Sequence, residues 1–119
     1  MSEHASEKET ELRLTIIVRR SGGAWIAQCL DHDIAAQGPT LDDCKLRFMR
    51  TLSSRIIRDL KNGRRPLADL PPAPRVYYDQ SVKFGESGPE LPVYVPVNPR
   101  LRATARFLGA IEEAPSAQA

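Results

Sequence analysis

Residues 12–30 read LRLTIIVRRSGGAWIAQCL and carry the clearest structural signal in the chain. Over residues 12–19 every second side chain is apolar, which is typical of a half-buried β-strand. These apolar positions are Leu12, Leu14, Ile16 and Val18. Ser21-Gly22-Gly23 follows, and glycine supplies the positive φ that a tight hairpin turn needs. Residues 24–30 alternate again, so the whole stretch predicts two paired antiparallel strands.

A short strand and a long helix are predicted after this hairpin. Residues 34–37 are an apolar run that Gly38-Pro39 ends, which predicts a third strand. Thr40 stands where a helix N-cap belongs, and two aspartates follow in the first turn, where negative charge is favoured. Over residues 41–61 apolar side chains recur every three or four positions, which predicts an amphipathic helix with Gly63 as its C-terminal cap. The apolar stripe consists of Leu41, Cys44, Phe48, Leu52, Ile56 and Leu60.

Proline dominates the rest of the chain. Of the ten prolines, only Pro39 precedes residue 66. Residues 66–74 are typical of an extended strap, and residues 75–84 have the composition of a strand. Residues 91–97 also have strand composition, but their prolines restrict them to a sheet edge. Asn98-Pro99 is typical of a helix start, so a second, short amphipathic helix is expected after it. Its apolar face would carry Leu101, Ala105, Leu108 and Ile111.

These elements predict an α+β fold in a single small domain, because 119 residues are too few for two. We expect a mainly antiparallel sheet of three or four strands, with the long helix packed on one face. Residues 1–11 are predicted to be a disordered tail. Residues 12–65 form the expected β-β-β-α core, and residues 66–119 a Pro-rich extension that wraps it.

Composition excludes several protein classes. Charged residues make up 27% of the chain, and no apolar run approaches the roughly 20 residues of a membrane span. A membrane protein, a collagen and a coiled-coil rod are therefore excluded. No signal peptide is visible in the polar residues 1–11, so a cytoplasmic location is expected.

Few residues are suited to catalysis or metal binding. Cys29 and Cys44 are too few for a disulfide scaffold and are interpreted as buried thiols. Zinc binding with His32 is disfavoured, because no Cys-x-x-Cys pair is present. Asp31-His32-Asp33 is the one polar cluster within an apolar segment. It is interpreted as a solvated turn, with acid–base chemistry or a metal as the alternative. We expect no enzyme activity and no cofactor.

Positive charge is concentrated in one quarter of the chain. Residues 41–65 carry eight Lys or Arg and three Asp, whereas the whole chain has a net charge of only +2. Opposite the apolar stripe of the helix lie Arg47, Arg50, Arg58 and Lys61. These side chains either form an ordinary solvated helix face or contact the phosphates of a nucleic acid. No aromatic residues interleave with these charges on the basic face of the helix, which disfavours single-strand binding.

Three tyrosines offer a second candidate surface. Tyr77, Tyr78 and Tyr94 have the amphipathic character that suits a protein interface. Alternatively, they cover an open edge or face of the small sheet. Because a small domain with an open sheet edge often dimerises, we also expect a homodimer.

The order of strand, Gly-Gly turn, strand, short strand and helix resembles the HicB family of antitoxin-like proteins. The resemblance covers residues 14–60 and includes Gly22-Gly23 and Trp25-Ile26-Ala27. Residues 37–43, QGPTLDD, are similar to the family's Gln-Gly-x-Thr-Leu motif, which two acidic residues follow at the helix start. The resemblance implies a partial RNase H-like core without nuclease activity, in which three strands pack against the helix. It also implies a module that binds and neutralises a small ribonuclease toxin.

Two parts of the chain depart from the family pattern. Residues 29–34 read CLDHDI where the family has a Pro-Asp-Leu-Pro-Gly-Cys-like turn. Residues 66–119 resemble neither the helix-turn-helix nor the ribbon-helix-helix with which many relatives bind DNA. The expected function is therefore a protein-binding module, either an antitoxin or a stand-alone relative. The alternative is a nucleic-acid-binding regulator that uses the basic face of the helix.

Overall fold

A computed structural model describes residues 10–81, 87–96, 98 and 100–112. Within them the fold is α+β, with a five-stranded mixed sheet, one long helix and one short helix. The strands are β1 (Thr10–Ser21), β2 (Ala24–Cys29), β3 (Ala35–Gly38), β4 (Ser87–Pro92) and β5 (Leu101–Glu112). The helices are α1 (Leu41–Lys61) and α2 (Arg75–Ser81). Neither helix of this part of the chain is long and apolar enough to cross a membrane.

The predicted hairpin and third strand are confirmed. β1 and β2 pair antiparallel, from Ile16 opposite Cys29 to Ser21 opposite Ala24. Gly22 in the turn between them has a φ of +62°, the left-handed conformation for which glycine is suited. β3 pairs antiparallel with β2, which gives the sheet order β3-β2-β1-β5-β4. The first strand begins at Thr10, so residues 10 and 11 belong to the sheet rather than to a tail. Residues 1–9 of the predicted tail lie outside the described residues.

The long helix is also confirmed. The Thr40 hydroxyl accepts a hydrogen bond from the Asp43 N–H at 3.1 Å, as an N-cap does. Gly63, just beyond the helix, has a φ of +71°. The fully buried part of its apolar stripe consists of Cys44, Phe48, Leu52 and Ile56. These side chains pack against one face of the sheet, where β1 contributes Leu14, Ile16 and Val18.

The predicted helix after Pro99 is wrong, because residues 101–112 form β5. This strand pairs parallel with β1, so the sheet is mixed, although its other three strand pairs are antiparallel as expected. Within the described residues the sheet has five strands rather than the three or four predicted. Its alternate side chains all enter the core below α1: Leu101, Ala103, Ala105 and Phe107. Pairing with β1 on one side and β4 on the other satisfies its backbone groups within the sheet. β5 therefore completes the core instead of wrapping it.

The strand predicted over residues 75–84 is also wrong. Residues 75–81 form α2, and residues 82–84 lie outside the described residues. The Tyr77 side chain packs on Ile17 and Leu30, which project from the sheet face opposite α1. A short helix thus covers apolar surface that α1 does not reach.

The expected edge strand is present but lies earlier in the chain. β4 ends at Pro92 and pairs only with β5, as its prolines require. Beyond it, the Val93 N–H still donates to the Ala103 carbonyl at 2.8 Å. Val93 and Val95 are buried, so the segment after β4 is anchored along the core beside α1.

Candidate binding surfaces on the long helix

The four predicted cations project from the solvent-exposed side of α1. Arg47, Arg50, Arg58 and Lys61 are all exposed. At 3.6 residues per turn they fall within about 80° of arc, along about 21 Å of the helix axis. The Arg47 guanidinium reaches the edge strand β3 and donates to the Gln37 carbonyl at 3.4 Å. The structure therefore brings these side chains together as one strip.

A shallow cleft lies along this strip, and it contains hydroxyl groups as well as guanidinium groups. Its lining residues are Ile34, Arg50, Thr51, Ser54, Arg55 and Arg58. The hydroxyl-bearing residues were not predicted as part of a site. The helix period could have indicated Ser54, because it lies four residues from both Arg50 and Arg58 and therefore on the same side of the helix.

The three arginines of the cleft differ in whether a carboxylate neutralises their charge. Arg55 contacts the buried carboxylate of Asp59 at 3.2 Å and also pairs with Asp69. The hydrogen bond to Asp59 raises the pKa of Arg55 above its usual value, and the nearby carboxylate charges add to the effect. Within the described residues neither Arg50 nor Arg58 has an ion pair. Two positive charges of the cleft are thus available to an anion.

The flank of α1 that faces β4 is apolar. Met49, Ile57, Pro92 and Tyr94 line a groove there, together with Arg50, Ser53 and Ser54. The Tyr94 side chain is 73% exposed, although its backbone carbonyl accepts a hydrogen bond from the Ser53 hydroxyl. Leu46, one helical turn before Met49, is 49% exposed. We call this groove and Leu46 the Tyr94 surface.

The three tyrosines do not form a single surface. Tyr94 lies beside α1, whereas Tyr77 and Tyr78 belong to α2 on the opposite face of the sheet. Tyr77 is half-buried, and the Arg19 guanidinium lies 5.5 Å from its ring centroid. The Tyr78 hydroxyl donates to the Leu30 carbonyl. Tyr77 therefore covers the sheet, Tyr78 is held by its hydrogen bond to Leu30, and Tyr94 is the most exposed of the three.

The Asp31-His32-Asp33 cluster holds a turn together. Asp31 accepts the Thr15 N–H at 2.9 Å, and Asp33 accepts the Gln28 side-chain amide at 3.0 Å. His32 is half-buried. Among the residues that the structure describes, no group of three or more His, Cys, Asp or Glu could hold a metal ion. This geometry favours the turn interpretation.

Both cysteines are fully buried, and burial dominates their chemistry. It raises the pKa of the Cys29 thiol from 9.0 to about 11, and it also raises the pKa of Cys44. A neutral, buried thiol is a poor nucleophile and a poor metal ligand. These thiols act as apolar core groups.

This burial predicts a loss of stability at alkaline pH. Above pH 9 the Cys29 thiol ionises in the unfolded chain but stays protonated in the folded chain until about pH 11. Its contribution to the free energy of unfolding therefore falls by about 2–3 kcal/mol across this window. Urea unfolding at several pH values would show a shallower fall for Cys29→Ala than for the wild type. Parallel curves for the two proteins would contradict the prediction.

Comparisons of this chain with protein-family models, curated proteins and solved structures give no significant match. The functional indications therefore come from the two surfaces of α1. One is apolar around Tyr94, and the other is a basic cleft.

Proposed function

We propose that this chain is a non-catalytic protein-binding module, a HicB-like antitoxin or a stand-alone relative, that binds its partner through the Tyr94 surface. The observation that carries the proposal is the exposure of Tyr94, at 73%, beside other apolar side chains. Tyrosine is among the residues that contribute most to binding energy at protein interfaces.

The backbone at Tyr94 is anchored to the core on both sides. Val93 and Val95, its neighbours in the chain, are buried in the core, and Ser53 hydrogen-bonds its carbonyl. The ring is therefore held outward by a backbone that is already fixed before binding. Little backbone conformational entropy is lost when a partner covers Tyr94, which favours affinity.

The first half of the fold supports the resemblance to the HicB family. β3, β2 and β1 lie side by side in that order, and α1 packs on one face of them. This is the arrangement that the resemblance implies. The motif glycine, Gly38, lies against the first turn of α1, where a Cβ atom would come within 2.8 Å of the Cys44 nitrogen. This close approach explains why the motif has glycine at this position.

A small ribonuclease toxin is the partner class that this resemblance implies. Antitoxin action needs only that the toxin be covered, so no catalytic group is required of this chain. Arg50 lies at the rim of the Tyr94 surface, which favours an acidic side chain at that point of the partner.

Replacement of Tyr94 tests the proposal. A native pull-down with nuclease treatment, followed by mass spectrometry, would identify the small protein, which is then purified. Tyr94→Ala is expected to weaken its binding about 30-fold or more, because an interface centre loses its aromatic anchor. The matched control is Val76→Ala, which truncates a 54% exposed apolar side chain on α2, at the opposite face. Titration calorimetry compares both variants with the wild type.

Two outcomes would contradict this function. If Tyr94→Ala and Val76→Ala bind the partner equally well, the Tyr94 surface is not the interface. If sedimentation of the bound fraction shows only two copies of this chain, the surface belongs to a homodimer and not to a toxin complex.

A further inference from the structure

We infer that the exposed side of α1 is a second binding surface, which holds the phosphate backbone of duplex nucleic acid with the cleft between Arg50 and Arg58 at its centre. This inference is independent of the proposed protein partner. The groove at Tyr94 lies on the other flank of the helix. Arg50 and Ser54 line both this groove and the cleft.

Charge is the first reason. Arg50 and Arg58 are exposed, line one cleft and have no carboxylate partner within the described residues. Lys61 continues the strip, and Arg64 and Arg65 follow it, both exposed. Clustered cations without acidic partners create a positive potential, which attracts a polyanion.

Two arginines on the opposite side of the fold have acidic partners. On the sheet face opposite α1, Arg13 pairs with Glu11 at 3.5 Å, and Arg106 pairs with Glu90 at 3.4 Å. These arginines belong to ordinary surface ion pairs. The contrast selects α1 as the side of the molecule that a polyanion would approach.

Hydroxyl groups are the second reason. Thr51 and Ser54 line the same cleft as Arg50 and Arg58. Arginine, serine and threonine side chains are the groups that commonly contact phosphate oxygens in protein–nucleic acid complexes. Arg50 and Arg58 lie eight residues apart, about 12 Å along the helix, so they reach different phosphates.

The described lining of the cleft favours duplex over single-stranded ligands. Among the residues that the structure describes there, none is Phe, Tyr or Trp. Single-strand binders combine a basic groove with aromatic side chains on which bases stack. A surface of cations and hydroxyls contacts the backbone alone, so we expect binding to duplexes with little sequence preference and strong dependence on salt.

The test is fluorescence anisotropy with labelled duplexes of about 20 base pairs, at about 50 mM and about 200 mM NaCl. Duplex DNA, duplex RNA and the corresponding single strands are the probes. The test variant is Arg50→Gln with Arg58→Gln. The matched control is Arg13→Gln with Arg106→Gln, which removes the same net charge from the opposite face. Circular dichroism melts verify that both variants fold.

The wild type is expected to bind a DNA or RNA duplex more tightly than single strands. The Arg50/Arg58 variant should bind at least about tenfold more weakly at low salt, and its plot of log affinity against log salt should be shallower by about 2. The control variant should bind like the wild type. The inference is overturned if the wild type binds no duplex at low salt, if single strands bind more tightly, or if both variants weaken equally.

Discussion

Gly38→Ala is expected to lower the free energy of unfolding by about 2–3 kcal/mol, because the new methyl group has no room. A Cβ atom at this position would lie 2.8 Å from the Cys44 nitrogen and 3.1 Å from two further backbone atoms of α1. Backbone cannot move aside as the end of a flexible side chain can. The Cys44 N–H also donates to the Thr40 carbonyl at 2.9 Å, so a shift of the first turn weakens the hydrogen bond that starts the helix.

Gly109→Ala is the matched control for this prediction. Gly109 also lies in a strand, but a Cβ atom there would meet nothing within 4 Å. Its replacement should change stability by no more than about 0.5 kcal/mol. Urea unfolding followed by circular dichroism measures both variants. Equal stability of the two variants would show that the contact between β3 and α1 tolerates a side chain.

Local signals were sufficient for the first half of the fold. The hairpin, the third strand and α1 are each specified by a period and a turn or cap within a few residues, and each is confirmed. β5 shows where such reasoning fails. Leu101, Ala105 and Leu108 have helical spacing, but every second residue from Leu101 to Phe107 is also apolar. Only the pairing with the distant strand β1 decides in favour of a strand.

For α2 the error is the reverse, because the sequence predicts a strand where the structure has a helix. Val76, Tyr77 and Tyr78 have strand propensity, and tertiary packing overrides it. Tyr77 from one turn of helix covers Ile17 and Leu30, which a further strand of the same sheet could not do. Propensity describes a segment alone, whereas this segment takes its structure from the surface that it covers.

The candidate sites show the same contrast between local signals, which predict residue placement, and long-range packing, which the sequence does not reveal. Arg47, Arg50, Arg58 and Lys61 share one helix, so its period alone predicts that they share one side. The tyrosines belong to different segments, and their separation onto two faces depends on long-range packing. Sequence reasoning missed Asp59, although the helix period gives a signal. Asp59 falls on the buried side of α1, between Ile56 and Leu60, where a carboxylate is unexpected.

Asp59 forms the centre of the turn that follows α1. Its side chain is 1% exposed and accepts the Leu67 N–H at 2.8 Å as well as the Arg55 guanidinium. Its backbone carbonyl accepts the Arg64 N–H at 2.8 Å. Leu67 is fully buried at a φ of +62°, a conformation that costs a non-glycine residue about 1–2 kcal/mol. The carboxylate therefore holds a strained residue in the core.

Asp59→Ala is expected to lower the free energy of unfolding by about 3 kcal/mol. The buried Leu67 N–H would lose its charged acceptor, and the packing of that leucine under α1 depends on this bond. Asp69→Ala is the control, because Asp69 also pairs with Arg55 but is 57% exposed, and it should cost less than about 1 kcal/mol. Hydrogen exchange at Leu67 adds a local measurement, in which Asp59→Ala, but not Asp69→Ala, removes protection.

If the two variants are equally stable, Arg55 and not Leu67 is the partner that matters to Asp59. Because Arg55 and Arg58 line the same cleft, the stability of this turn also bears on the proposed phosphate surface.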